Sequence, residues 1–277
     1  MKRFIFAVLI TAAANSHSAQ SIAVYNVNQE SWTHSSNINQ TRSLASLTKL
    51  MTVMVSLDHS PDLTEKIALN TASPRLPKGS YSRLMLITAV LVRSDNSAAE
   101  ALAQAYPGGR KQFIQQMNRR AKALGMLSTR FVDASGLSTA NISTAIDVVT
   151  MVRAADSYAV IREISVKKQA DLEVGRRQQL RTLLIHNTNQ QVLIEFEGIT
   201  VSKTGFTSAA GWCVAMMITK GRTQSVVVVM GAATPKQRHA DVNKIMLNYI
   251  ADTEPEPEPP KQASPGDVIR SWLGLGP

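Results

Sequence analysis

Ser46 and Lys49 stand three residues apart in Ala45-Ser46-Leu47-Thr48-Lys49-Leu50-Met51-Thr52-Val53-Met54. On a helix that spacing puts a hydroxyl and an amine on one side, a turn from each other. At a helix start the backbone N–H of the serine also points outward, free to bind a developing anion. This short stretch therefore holds the makings of a nucleophile, its proton acceptor and half an oxyanion site. Taken alone, it reads first as a helix cap followed by a solvated charge. Two later patterns, Ser94-Asp95-Asn96 and Lys203-Thr204-Gly205, change that reading. Each is weak by itself, but the ordered set is not.

Elements that position these residues can be read from periodicity. Leu47, Leu50, Met51, Met54 and Leu57 form an apolar stripe at helical spacing, which would bury the Ser46 helix and hold the serine rigid. Residues 21–29 alternate as a strand, and a second short strand is expected over 32–38. Residues 60–80, with Pro61, Pro74, Pro77 and Gly79, read mostly as loop. The apolar run 84–92 leads into Ser94-Asp95-Asn96. Helices are expected over 98–105, 110–124 and 144–155, the last capped by Ser143 or Thr144. Residues 199–206, 212–219 and 225–230 read as strands, and 236–250 as a closing helix. Strands at both ends with helices between predict an α/β chain of the α+β type, with one antiparallel sheet assembled from both termini and helices packed on it.

Composition narrows the partners. The 277 residues carry 44% hydrophobic and 18% charged side chains, as in ordinary globular proteins. The 30 Lys+Arg against 20 Asp+Glu give a formal charge of +10, which favours polyanions. Nucleic acid is a poor candidate, because Arg119-Arg120, Lys167-Lys168 and Arg176-Arg177 are isolated pairs without aromatic interleaving. An envelope polymer rich in carboxylates suits the charge better. Residues 1–19 read as an export signal, with basic Lys2 and Arg3, an apolar run over 4–14 and small residues before the cut. Cys213 is the sole cysteine, so no intrachain disulfide forms, and it reads as a small buried side chain. The histidines are scattered and no H-E-x-x-H occurs, so neither a metal nor another cofactor is expected.

The ordered set Ser46-x-x-Lys49, Ser94-Asp95-Asn96 and Lys203-Thr204-Gly205 is found in penicillin-binding proteins and class A β-lactamases. With Arg42-Ser43-Leu44-Ala45, Tyr106-Pro107-Gly108-Gly109, Leu124-Gly125-Met126, Ser135-Gly136-Leu137, His186-Asn187-Thr188-Asn189 and Phe206-Thr207, residues 21–250 resemble the low-molecular-mass penicillin-binding proteins, the D-alanyl-D-alanine carboxypeptidases and endopeptidases, and most of all the cross-link-cutting penicillin-binding protein 7 group. Against that pattern the segment between Tyr81 and Ser94 is several residues short. The resemblance implies a β-lactamase/transpeptidase-like fold with about five strands, and a serine peptidase acting on peptidoglycan stem peptides and inhibited by β-lactams. Ser46 would attack the carbonyl of the penultimate D-alanine. Lys49 would take its proton while neutral, which requires burial and a second cation, Lys203, to depress a pKa that in free lysine is about 10.4. Lys203 would also receive the substrate carboxylate, with Thr204 and Thr207. Ser94 would relay a proton to the departing amine, and Asn96 would hold Lys49 and the substrate. The N–H groups of Ser46 and Phe206 would form the oxyanion site, and Gly205 would let the substrate approach the strand.

The expected organisation is a signal peptide over 1–19, a peptidase domain over 20–251, a stiff Pro/Glu linker over 252–266 and a short apolar tail over 267–277 that would make at most a weak membrane or protein contact. The enzyme would be periplasmic. A second β-rich domain, which carboxypeptidases of this kind often carry, has no room after residue 250, and this favours cross-link cleavage over carboxypeptidase action. A β-lactamase would need an added carboxylate to activate a deacylating water, and no acid between Asn96 and Lys203 stands in a recognisable motif for it. A non-catalytic peptidoglycan-binding protein is disfavoured by the intact set of motifs.

Overall fold

The computed structural model describes residues 20–175, 180–194 and 196–250. The signal, linker and tail assignments lie outside them. Chain order runs β1 (Ser21–Asn26), β2 (Ser31–Ser36), β3 (Arg42–Ser43), a 3₁₀ turn (Ala45–Leu47), α1 (Thr48–His59), β4 (Lys66–Leu69), β5 (Gly79–Ser82), α2 (Arg83–Val92), α3 (Asn96–Gln104) and α4 (Gly109–Ala123). It continues with β6 (Ile142–Ser143), α5 (Ala145–Asp156), α6 (Ala159–Ser165), β7 (Gln169–Val174), β8 (Arg181–His186), α7 (Gln190–Leu193), β9 (Ile199–Thr207), β10 (Gly211–Lys220), β11 (Thr223–Ala232) and α8 (Pro235–Tyr249).

The main sheet has five antiparallel strands in the order β2-β1-β11-β10-β9. It joins both ends of the described chain, with Val24 opposite Val227 and Ser21 opposite Met230. The Val- and Met-rich run of β11 follows from burial on both faces. Val226, Val228 and Met230 pack into the larger core under the helices, whereas Val227 and Val229 pack into a second core beneath α8. Each such side chain, fully buried, contributes about 1.5–3 kcal/mol. The predicted sheet of about five strands and its flanking helices are thus the observed architecture. No helix among the described residues is long and apolar enough to cross a membrane.

Three local differences bear on the site. The helix carrying Ser46 opens as a 3₁₀ turn, and its α-helical part begins at Thr48. The 60–80 segment, read as loop, contains β4 paired with β5, and this small hairpin leads directly into α2. α3 begins at Asn96, two residues earlier than expected, because the Asp95 side chain accepts the Ala98 N–H as its cap. The sequence reading assigned no elements to 157–198, where α6 and the β7–β8 hairpin form.

Candidate active site

The 3₁₀ turn lifts Ser46 to the surface of the larger core, and the first turn of α1 places Lys49 beneath it. Lys49 is fully buried. Its Nζ lies 2.9 Å from Ser46 Oγ, 2.7 Å from Asn96 Oδ1 and 2.5 Å from the Ser135 carbonyl. The last two are acceptors only. A neutral amine has two N–H groups and one lone pair, so the two carbonyl oxygens take its hydrogens and the lone pair is left facing the Ser46 hydroxyl. Burial lowers the Lys49 pKa to about 7, while Asp133, Asp95 and Glu100 pull it back up. Of the two causes expected from the sequence, burial is the one that depresses Lys49, and Lys203 is not among its causes. The repulsion between the two lysines is felt on Lys203, whose pKa is lowered well below the ordinary value by burial first, then by Lys49 and Arg238.

The Ser135 carbonyl is held by a buried loop. Asp133 accepts N–H bonds from Gly136 (2.5 Å) and Ser138 (2.6 Å), and Asn141 Nδ2 donates to its carboxylate (2.8 Å). Thr52 Oγ1, one turn of α1 after Thr48, donates to the Ala134 carbonyl at 2.6 Å. Gly136 has φ +80°, and a Cβ there would lie 1.9 Å from the Ala45 carbonyl oxygen, so the loop seats against the Ser46 turn only with glycine. Ala45 itself sits at φ +46°. An alanine in that region costs about 1–2 kcal/mol, carried by the packing around it.

Ser94 stands at φ +63° between α2 and α3. α2 runs to Val92 and α3 starts at Asn96, so the chain reverses within a few residues. Asp95 fixes that reversal: its N–H bonds the Ala89 carbonyl (3.1 Å), one carboxylate oxygen caps α3 and the other accepts from Ser73 Oγ (2.5 Å). From the opposite side, β9 forms the edge of the sheet and lies along the Ser46 turn. A Cβ on Gly205 would meet Ser46 N at 3.0 Å and Leu44 O at 3.2 Å, so a side chain there would push strand and turn apart.

Ser46, Ser94, Thr204, Gly205 and Phe206 line one cleft of about 400 Å³. Lys49 and Lys203 lie buried below it, and Asn96 is half-buried at its floor. Lys203 Nζ donates to the Thr204 carbonyl at 2.9 Å. Thr207 stands apart: its hydroxyl accepts the Ala210 N–H at 3.1 Å in the β9–β10 turn and does not line the cleft. Arg238 and Thr188 do line it, and the sequence reading missed both as site residues. Arg238 is 5% exposed with a buried Nε that has no hydrogen-bond partner. Thr188 Oγ1 is 2.5 Å from Thr204 Oγ1. The N-terminus of α8, capped by Thr234, brings Pro235 and Arg238 to the same wall. Lys203, Arg238 and a helix N-terminus thus converge on a cleft lined by no acidic side chain, an arrangement suited to an anion. No carboxylate lines the cleft. Asp133 and Asp95 are committed to backbone N–H groups, and Glu100 to Arg110 Nε at 2.6 Å.

A family model described as D-alanyl-D-alanine carboxypeptidase, of the peptidase S11 class, matches residues 9–234. The chain is 36% identical over 253 residues to a D-alanyl-D-alanine endopeptidase of Escherichia coli (strain K12), covering 86% of this chain and 81% of that one. Among solved structures it is similar to the Streptomyces K15 DD-transpeptidase, with a TM-score of 0.77 at 25% identity over 83% of this chain and 96% of that one. It is also similar to penicillin-binding protein D2 of Listeria monocytogenes in its ampicillin-bound form, with a TM-score of 0.73 at 30% identity and the same coverage.

Proposed function

This chain belongs to the D-alanyl-D-alanine carboxypeptidase family of serine D,D-peptidases, and we propose that it cuts D-alanyl cross-links between peptidoglycan stem peptides through an acyl-enzyme on Ser46. The observation that carries this reading is the Lys49 amine, buried, near neutrality and turned by Asn96 and Ser135 so that its lone pair meets the Ser46 hydroxyl. Ser46 Oγ attacks the carbonyl carbon of a D-alanine and its proton passes to Lys49 Nζ. The carbonyl oxygen, now anionic, sits between the backbone N–H groups of Ser46 and Phe206. Collapse of the tetrahedral adduct breaks the C–N bond, and the proton held by Lys49 is relayed through Ser94 to the departing amine, which leaves both residues in their starting states. Water then attacks the ester and restores Ser46.

The leaving side carries a carboxylate beside the amine, and Lys203, Thr204 and Arg238 are its anchors. Arg238 is added to the carboxylate anchors expected from the sequence because it lines the cleft, whereas Thr207 does not. Lys49 supplies base strength near neutral pH, and the positive wall supplies binding. The same cleft takes β-lactams, whose ring carbonyl and carboxylate match the two subsites. No carboxylate lines the cleft where it could activate a water, and this supports a long-lived penicilloyl-enzyme over a β-lactamase. The apolar run over 4–14, read as an export signal, would deliver the enzyme to the periplasm, where its substrate lies. The similarity to an endopeptidase supports cross-link cleavage over carboxypeptidase action. Digestion of purified cross-linked muropeptides should give monomers, and Ser46→Ala should give none. Release of D-alanine alone, with dimers left intact, would refute the endopeptidase preference.

A further inference from the structure

Past Phe206 the molecule holds a second cavity, of about 510 Å³, between the β9–β10 turn, the end of β11 and the residue preceding β1. Phe206 lines both this cavity and the catalytic cleft, and its ring stacks on Trp212 at 4.1 Å to form the partition between them. Arg42 is the one charged residue lining the second cavity among the described residues; Gln20 and Ser208 are polar, and the rest are small. Arg42 is placed by its pairing with Ser143 in the β3–β6 ladder, four residues before Ser46. Its guanidinium lies against the bare backbone of Gly231, where a Cβ would come within 2.8 Å of it. Its Nε is buried without a hydrogen-bond partner, and no carboxylate among the described residues pairs with it. A guanidinium partly withdrawn from water and unpaired is costly until an anion completes it, and its fork fits a carboxylate.

Orientation along β9 identifies the anion. With the leaving-side carboxylate at Lys203, Thr204 and Arg238, and the attacked carbonyl between Ser46 and Phe206, the acyl side of the substrate runs past Phe206 towards the β9–β10 turn. We infer that the second cavity is the acyl-side subsite, and that Arg42 binds a side-chain carboxylate on the residue preceding the attacked D-alanine. This rests on the reading of Ser46 and of the carboxylate wall given above. Arg42 touches no reacting atom and acts on specificity.

The test uses two muropeptide dimers that differ only in the acyl-side diamino acid, whose distal carboxyl is free in one and amidated in the other. For the wild type, kcat/KM should favour the free acid by about tenfold, the worth of one charge-assisted pair. Arg42→Ala should lower the free-acid value by about that factor and the amide value by less than twofold, erasing the preference. Ser208→Glu, on the exposed turn, puts a carboxylate beside Arg42 without touching its seat on Gly231, and should erase the preference in the same way. Equal wild-type rates on the two dimers, an Arg42→Ala loss shared by both, or a preference that survives Ser208→Glu overturns the assignment. A wild type that fluorescent penicillin labels but that cleaves neither dimer takes down the proposed reaction and this subsite with it; absence of labelling sinks the role of Ser46 itself.

Discussion

The floor and the wall of the cleft are built on opposite terms. On the floor, Lys49 meets Ser46, Asn96 and Ser135, and the loop that presents Ser135 is tied down by Asp133 and Asn141. Its polar groups are answered by protein. On the wall, the hydrogen bond found for buried Lys203 goes to a backbone carbonyl, and the Nε of Arg238 has no partner. The floor is finished before substrate arrives, as a proton-transfer device must be, since its geometry cannot be rebuilt in each turnover. The wall is short of negative charge, so its favourable interactions form only with a bound anion. Chemistry is preorganised on one side, and affinity is held in reserve on the other.

This contrast can be broken most severely at the floor. Ser46→Ala or Lys49→Ala should cut the acylation rate by about 10³-fold or more, with melting temperature nearly unchanged for Ser46→Ala; the rate is read from labelling by fluorescent penicillin. Labelling of Ser46→Ala at the wild-type rate would disprove the nucleophile. At the wall, Arg238→Ala should lower kcat/KM by about 10–100-fold, mostly through KM, because it removes one charge-assisted contact and leaves the Ser46–Lys49 pair intact. A loss confined to kcat would place Arg238 in the chemical step instead. The acylation rate should rise with pH through an inflection near the Lys49 pKa of about 7, since the amine attacks the proton only when uncharged. Asp133→Asn should move that inflection to lower pH, because the Asp133 charge raises the Lys49 pKa. An unmoved inflection would assign the titration to another group. The smallest effect belongs to Cys213, in neither region: burial pushes its thiol up to about 11. Cys213→Ala should leave acylation within about twofold and destabilise by about 1 kcal/mol, as read by thermal unfolding.

The floor was more legible in the sequence than the wall. Ser46 and Lys49 share one helical turn, so their meeting is a local fact of spacing. On the wall, the alternation of 199–206 showed the strand that carries Lys203 and Gly205. Asp133, Asn141 and Ser135 act through a loop with no periodicity, and their signal was limited to the resemblance carried by Ser135-Gly136-Leu137. Arg238 reaches the cleft because α8 packs across the sheet, a tertiary fact that no spacing near it encodes. The β7–β8 hairpin did leave a trace, since Ala170, Leu172 and Val174 alternate with polar residues. The β4–β5 pair was hidden by the prolines between its strands. For Lys49 the expected burial is the cause of the lowered pKa, while the expected help from Lys203 is felt on Lys203 instead, a division that depends on everything packed around the two amines.

The pairing of β1 with β11 has a consequence for biosynthesis. The first strand to leave the ribosome waits for one some two hundred residues later (Val24 for Val227), and β11 then separates it from β10 and β9. Contacts of such long range delay folding. A nascent chain that stops short of β11 leaves the β1–β2 hairpin and the β9–β10 pair as unconnected fragments, with no continuous sheet to carry the Lys203 edge towards Ser46. Activity is therefore withheld until synthesis has passed β11 and the α8 helix that carries Arg238 to the cleft.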